Sequence, residues 1–201
     1  MARLFLVRHG ETELKSSERL WGHTDVKLDA LGLRQAERLR DRLAAEKIDV
    51  IYSSNLQRAL VTAETIASRH RLDVIACPEL REFYYGKAEG LNYEEIKERY
   101  PELHAAMTQK SPSFQFPDGE SVDDLAKRVD QFVIRLKKHT PEETVLIVAH
   151  FGVLRTLVCR LLGVELGQRW QFHLDLASLS IMETNRQGAE VILLNDVSHL
   201  A

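Results

Sequence analysis

Hydrophobic and polar positions change period several times along this chain, and each change marks an element. Residues 3–8 form a short apolar run that reads as a strand, closed by Arg8-His9-Gly10. From 30 to about 46 the apolar positions recur at helical spacing, with Ala36, Leu39 and Leu43 on one face and Asp29 placed as the cap. A short run over 49–53 reads as a second strand, 56–69 as an amphipathic helix and 73–76 as a third strand. Residues 93–109 are helix-like but interrupted by Pro101, whose ring crowds the preceding turn and removes a donor. Ser121 followed by Asp124 resembles a capping box and opens a helix to about residue 138. Residues 144–149 are apolar throughout, the pattern of a buried strand, and a helix follows Gly152. Residues 177–184 and 189–194 read as two strands joined through 185–188, a hairpin.

Strands that alternate with helices imply a layered α/β domain with a largely parallel sheet, to which the terminal hairpin adds an antiparallel edge strand. No internal repeat, linker or low-complexity tract divides the chain, so 1–201 is read as a single domain. Residues 86–119 are its least regular and most hydrophilic stretch. They are read as an insertion or lid over the sheet edge.

Composition narrows the function classes. The chain of 201 residues, 44% of them apolar, can bury a full core in one domain. No apolar run is long enough to cross a bilayer, and the first residues pass straight into a strand with no signal-peptide pattern, so a cytoplasmic location is expected. Cys77 and Cys159 lie far apart without metal-ligand spacing and read as free thiols. A net charge of −3 offers no basic field to nucleic acid or acidic lipid, so neither nucleic acid nor membrane is an expected partner. An anion site must be built locally.

The strand ends supply such a site. The first strand ends in Arg8-His9-Gly10, the second in Ser53-Ser54-Asn55 with Arg58 just beyond, and the strand at 144–149 in Ala149-His150-Phe151-Gly152. Ligands of parallel α/β sheets bind beyond the carboxyl ends of the strands, so Arg8, His9, Arg58 and His150 should converge. Two helix starts should point to the same place with free N–H groups. Alone, each residue has an ordinary structural reading, such as a solvated arginine or a satisfied core histidine. Together they fit a phosphoryl dianion, with arginines meeting its oxygens through paired N–H donors and an imidazole free to attack phosphorus. A nucleophilic imidazole must be neutral, and the neighbouring guanidiniums should hold His9 below the free value of ~6.5.

These residues belong to a longer series. It runs through Leu6-Val7-Arg8-His9-Gly10-Glu11-Thr12, then Gly22, Asp25 and Leu28, then Gly32, Gln35 and Ala36, then Ile51-Tyr52-Ser53-Ser54 with Arg58-Ala59 and Thr62-Ala63. It continues through Leu80, Glu82, Gly86, Glu89 and Gly90, then Asp118-Gly119-Glu120-Ser121, and ends at Val148-Ala149-His150. In this order and spacing the chain resembles the histidine phosphatase superfamily, the group that includes cofactor-dependent phosphoglycerate mutases, over nearly its whole length. The resemblance implies a phosphoglycerate mutase-like, three-layer α/β/α sandwich. It implies that His9 is the nucleophile, that Arg8, Arg58 and His150 hold the phosphoryl oxygens, and that Glu82 is the general acid and then the base. It implies no metal and no cofactor. Glu89 and Glu94 are read as surface carboxylates.

The chain also departs from the family's pattern. Lys15 stands where many relatives carry Asn, Trp21 where many phosphatases carry Gln, Phe151 where Gly or Asn is common, and Ala88 where Trp is common. Lys15, Trp21, Gly22 and Phe151 are therefore candidate substrate contacts. The tail 195–200 resembles those of compact bacterial phosphatases, and His199 is a candidate for reaching back to the pocket mouth. A phosphomonoesterase acting on a small phosphorylated metabolite is favoured. A mutase is the first alternative, disfavoured because the segment after Glu82 is short; a non-catalytic phosphoprotein-binding module ranks last. Among phosphatases the chain resembles α-ribazole phosphatases, metal-independent phosphoserine phosphatases and broad-specificity sugar phosphatases. Trp21, Phe151 and Tyr84-Tyr85 tilt the choice towards α-ribazole 5′-phosphate. A homodimer is left open.

Overall fold

The chain is described here from a computed structural model that covers residues 2–14, 19–111, 113–185 and 188–201. Four strands run parallel: β1 (Arg3–Arg8), β2 (Val50–Ser53), β3 (Val74–Ala76) and β4 (Thr144–Ala149). The hairpin β5 (Leu179–Asn185) and β6 (Gly188–Asp196) joins them antiparallel, giving one sheet in the order β3-β2-β4-β1-β5-β6. Every residue of β4 is buried, as its unbroken apolar run requires at the centre of a sheet covered on both faces.

The strand alternation sorts side chains to two cores. Leu4, Leu6, Val145, Ile147 and Ala149 face one, with Leu125, Val129 and Phe132 of α5 (Val122–Leu136) and Val153, Leu154 and Leu157 of α6 (Phe151–Leu162). Phe5, Val7, Leu146 and Val148 face the other, with Leu39 and Leu43 of α1 (Ala30–Leu43) and Ala59, Ala63 and Ile66 of α2 (Gln57–His70). The result is a mixed α/β fold of three layers with antiparallel edge strands. No helix among the described residues is long and apolar enough to cross a membrane.

The helix boundaries show the caps at work. Asp29 accepts the Gly32 N–H and opens α1, and Ser121 and Asp124 make a reciprocal capping box for α5. Pro101 divides 93–109 into α3 (Tyr93–Arg99) and α4 (Pro101–Thr108). α1 and α5 stop two or three residues earlier than the apolar period suggests, because Ala44 and Lys138 donate three residues back and tighten the last turn. β5 begins at Leu179 and not at 177, since Ala177 takes a left-handed φ of 53°.

The stretch 86–119 differs most from its sequence reading. Despite its hydrophilic composition, Leu91, Ile96, Leu103, Met107 and Phe116 are buried in the same core as α5 and α6. Its Phe114 and Phe116 meet edge to face at 5.4 Å, and Phe116 meets Phe83, just before the segment, at 5.1 Å. The segment walls the cavity described below. Most of its charged residues, among them Glu94, Lys97, Glu98 and Glu102, are exposed or half-exposed.

Candidate active site

The two histidines come from adjacent strands. Arg8 pairs with Ala149 in the β1–β4 register, so His9 and His150 leave the sheet side by side. Their ring centroids are 5.0 Å apart. The His9 backbone is fixed on both sides, its N–H donating to the Ala149 carbonyl at 3.1 Å and its carbonyl accepting the Ala177 N–H at 3.0 Å. The His9 ring lies 2.7 Å through Nδ1 from the Gly10 carbonyl. A carbonyl can only accept, so Nδ1 carries the proton and Nε2 keeps its lone pair. Burial holds the His9 pKa well below the ordinary histidine value, with Arg58 and then Arg8 adding to the effect. The two guanidiniums invoked from sequence contribute, but desolvation is the larger cause.

His150 has the opposite tautomer. Arg58 Nε donates to its Nδ1 at 3.2 Å, which places the ring proton on Nε2. That Nε2 is buried without a hydrogen-bond partner among the described residues, and burial followed by Arg58 keeps the ring neutral. Arg58 is buried in α2 and also donates to the carbonyls of Thr24 (2.9 Å), Gly22 (2.7 Å) and Trp21 (3.2 Å). Four protein acceptors take up most of its five donors. It therefore cannot offer the paired fork expected of it. It orients His150, ties down the 21–24 loop and supplies positive charge.

Arg8 is freer. Its Nη1 donates to the Leu174 carbonyl at 2.7 Å, its Nε is buried and unpartnered, and its guanidinium lies 4.8 Å from the Phe151 ring centroid. Glu82 is buried beside these groups. Its Oε1 accepts the Phe83 N–H at 2.8 Å, and both its oxygens lie 3.0 Å from the Gly152 nitrogen. The carboxylate thus sits on the N-terminus of α6, where the dipole and free N–H groups favour it. A Cβ on Gly152 would stand 2.5 Å from Oε1, so only glycine admits this approach. The helix starts expected to present free N–H groups to phosphate are thus engaged within the chain: Gly152 binds Glu82, and Gln57 at the start of α2 binds Asp25 Oδ1 at 2.7 Å.

Two imidazoles, one with a free lone pair and one with a free donor, stand beside two arginines and a carboxylate, a set suited to phosphoryl transfer. Comparison with known proteins places the set in a family. A family model described as "Histidine phosphatase superfamily (branch 1)" matches residues 4–197. The chain belongs to that superfamily. It is 36% identical over 200 residues to "Phosphoserine phosphatase 1" of Hydrogenobacter thermophilus, covering 100% of this chain and 95% of that one. It is 31% identical over 193 residues to "Adenosylcobalamin/alpha-ribazole phosphatase" of Escherichia coli, covering 96% and 95%. Among solved structures, Bacillus stearothermophilus YhfR superposes with a TM-score of 0.90 at 31% identity, covering 100% of both chains. The protein is a phosphoric monoester hydrolase of this superfamily.

The phosphatase has a cavity of about 260 Å³ that begins at His9. Arg8, His9, Glu82, Trp21 and Phe151 line it, as does Tyr85. Tyr84 does not; its ring lies 4.9 Å from that of His23. Gly22 acts through its backbone, accepting from Arg58 and donating to Glu89 Oε2 at 3.1 Å. His199 is not among the lining residues. Its Nε2 donates to the Ala177 carbonyl at 3.0 Å, and the neighbouring Leu200 packs into the α1–α2 core. Lys15 lies outside the described residues. Among the described residues, no group of three or more His, Cys, Asp or Glu side chains could share a metal ion.

Several residues of the site escaped the sequence reading. Glu89 is no surface carboxylate: it gathers the N–H groups of Gly22 and His23 and the Thr24 hydroxyl, holding the loop that Arg58 grips from the other side. Arg128 makes a two-pronged pair with Glu120, both contacts 2.8 Å, and donates to the carbonyls of Glu79, Arg81 and Glu82, fixing the segment that carries Glu82. Arg155, Arg169 and Trp170 also line the cavity. Arg155 had a signal, a lone charge inside the apolar run 153–159; Arg169 and Trp170 lie in an irregular turn and had none.

Proposed function

We propose that this protein is a metal-independent phosphomonoesterase that works through a phosphohistidine on a small phosphorylated metabolite. The observation that carries the reading is the opposed tautomers of His9 and His150. His9 Nε2 attacks phosphorus and forms the N–P bond as the ester P–O bond breaks, while Glu82, which takes up a proton when the phosphoryl dianion binds beside it, passes that proton to the departing oxygen. Arg8 and the Nε2–H of His150 receive the phosphoryl oxygens, and Arg58 adds fixed charge. In the second half Glu82 takes a proton from water, whose oxygen attacks phosphorus and frees His9. Lys15, Trp21, Gly22 and Phe151 keep their reading as contacts of the substrate or of its loop. His199 is better supported as a brace for Ala177, the partner of the His9 carbonyl.

Rapid-quench labelling with a radioactive phosphomonoester is the test. A phosphoenzyme that survives base and is lost in acid, and that is absent from His9→Ala, is the expected result. Turnover of His9→Ala at the wild-type rate would refute the covalent route. Within this reading α-ribazole 5′-phosphate keeps one argument, the aromatic lining from Trp21, Tyr85 and Phe151, and the alpha-ribazole phosphatase among the relatives supports it. The phosphoserine phosphatase among them supports a carboxylated substrate equally.

A further inference from the structure

Arg8 and His9 are both held by a turn, 174–178, that belongs to no helix or strand. The Leu174 carbonyl accepts from Arg8 Nη1 at 2.7 Å, the Ser178 carbonyl accepts the Arg8 N–H at 3.3 Å, and the Ala177 N–H donates to the His9 carbonyl at 3.0 Å. Leu174, Ala177 and Ser178 are buried. Ala177 has a φ of 53°, a left-handed conformation that a residue with a Cβ avoids. Such a conformation persists only where the surrounding structure imposes it.

Two side chains of the tail 195–200 impose it. Asn195 meets Asp175 at two points: its Oδ1 accepts the Asp175 N–H at 2.6 Å, and its Nδ2 donates to Asp175 Oδ2 at 2.8 Å. His199 Nε2 donates to the Ala177 carbonyl at 3.0 Å. The other ring nitrogen of His199 is buried without a hydrogen-bond partner among the described residues, and burial disfavours a second proton on the ring. Its single ring proton therefore stays in the bond to Ala177. The tail has its own footing. Asn195 takes a φ of 56°, which asparagine tolerates, and its N–H donates to Ser180 Oγ at 3.0 Å. Leu200 packs into the α1–α2 core, and Arg38 of α1 donates to the Ala201 carbonyl at 3.3 Å. Neither Asn195 nor His199 lines the cavity. A continuous run of contacts thus leads from α1 through the tail and the turn to Arg8 and the attacking imidazole.

We propose that Asn195 and His199 are positioning residues of the phosphoryl-transfer centre, His199 placing His9 through Ala177 and Asn195 placing Arg8 through the turn at Leu174 and Asp175. The proposal rests on the phosphohistidine reading and adds to it two residues that act on the backbone and not on substrate.

Each grip has its own readout. His199→Leu removes the donor to Ala177 and frees the His9 carbonyl. Phosphoenzyme formation in rapid quench, and kcat with it, should fall about ten- to a hundredfold, the scale of a misplacement approaching 1 Å. Inhibition by inorganic phosphate, which Arg8 governs, should hold, because ground-state binding is untouched. His199→Gln, whose amide can donate to the same carbonyl, should recover most of the loss. Asn195→Gly keeps the left-handed φ and removes only the amide; the inhibition constant of inorganic phosphate should rise about tenfold, the worth of one weakened charge-assisted hydrogen bond at Arg8. A tail that only stabilises the fold would lower the urea midpoint of every variant, leave phosphate affinity unmoved in Asn195→Gly and make Gln no better than Leu at 199. That result, or wild-type kcat in His199→Leu, overturns the proposal. The two readings fail separately. Wild-type turnover in His9→Ala removes the phosphohistidine, and Asn195→Gly then decides alone, since phosphate binding at Arg8 needs no covalent step.

Discussion

Replacing Gly152 by alanine isolates the contribution of Glu82 without touching a reacting group. The new Cβ would lie 2.5 Å from Glu82 Oε1, whereas ordinary contact begins near 3.4 Å. The backbone of α6 is pinned through β4, so the carboxylate must yield, by about 1 Å. That movement lengthens its two contacts with the Gly152 N–H, now 3.0 Å each, at a cost of ~1.5–3 kcal/mol for a charged hydrogen bond. Alanine in a helical turn returns ~1 kcal/mol relative to glycine. Stability should therefore drop by no more than ~2 kcal/mol, and the fold should survive. Activity should suffer more, since a misplacement of about 1 Å in a catalytic group costs about a hundredfold. Leaving-group dependence supplies the assay. Alkyl phosphates, whose oxyanions need a proton, should lose about a hundredfold in kcat/KM, and p-nitrophenyl phosphate less than about tenfold. If Gly152→Ala slows both classes equally, or neither, Glu82 is not the acid.

Arg58→Gln should lower kcat by about a hundredfold or more, because it removes both a cation and the donor that fixes the His150 tautomer. Arg58→Lys should recover little of that loss, since an ammonium cannot serve His150 and the Trp21, Gly22 and Thr24 carbonyls together; full recovery would show that charge alone matters. His9 and His150 stay neutral in the folded chain at pH values where unfolded histidines, titrating near ~6.5, take up protons. Their contribution to stability is thus complete above about pH 6.5 and is lost as pH falls towards the folded values, by up to ~1.4 kcal/mol per pH unit for each ring. Urea midpoints measured from about pH 8 to about pH 5 should show this loss, with a shallower slope in His150→Asn; identical slopes would contradict the assignment.

What the sequence disclosed was local. Asp29, the Ser121–Asp124 box and Pro101 act within one turn of themselves, so the helices they govern could be placed to within a few residues. The apolar run of β4 and the residues at the strand ends carried the topology, and with it the meeting of His9 and His150. What stayed hidden depends on which distant group arrives first. A free helix start and one occupied by Glu82 have the same sequence. Glu89 and Arg128 look like solvated charges until the 21–24 loop and the Glu82 segment fold onto them. Arg155 reads as a flaw in an apolar helix until Phe151 and Trp170 stand beside it. The hydrophilic look of 86–119 came from averaging its outer charges with buried side chains that recur too irregularly to register as a face.

The position of β1 has a consequence for how the molecule is made. β1 lies between β4 and β5, and both follow it in the chain by more than a hundred residues. Until they emerge, Leu4 to Val7 offers two unsatisfied edges and two greasy faces to whatever is nearby. Over that interval the nascent segment must be shielded, or must wait in a loosely collapsed form. Catalytic competence arrives in a single late event, when closure of the sheet around that strand brings the two imidazoles together.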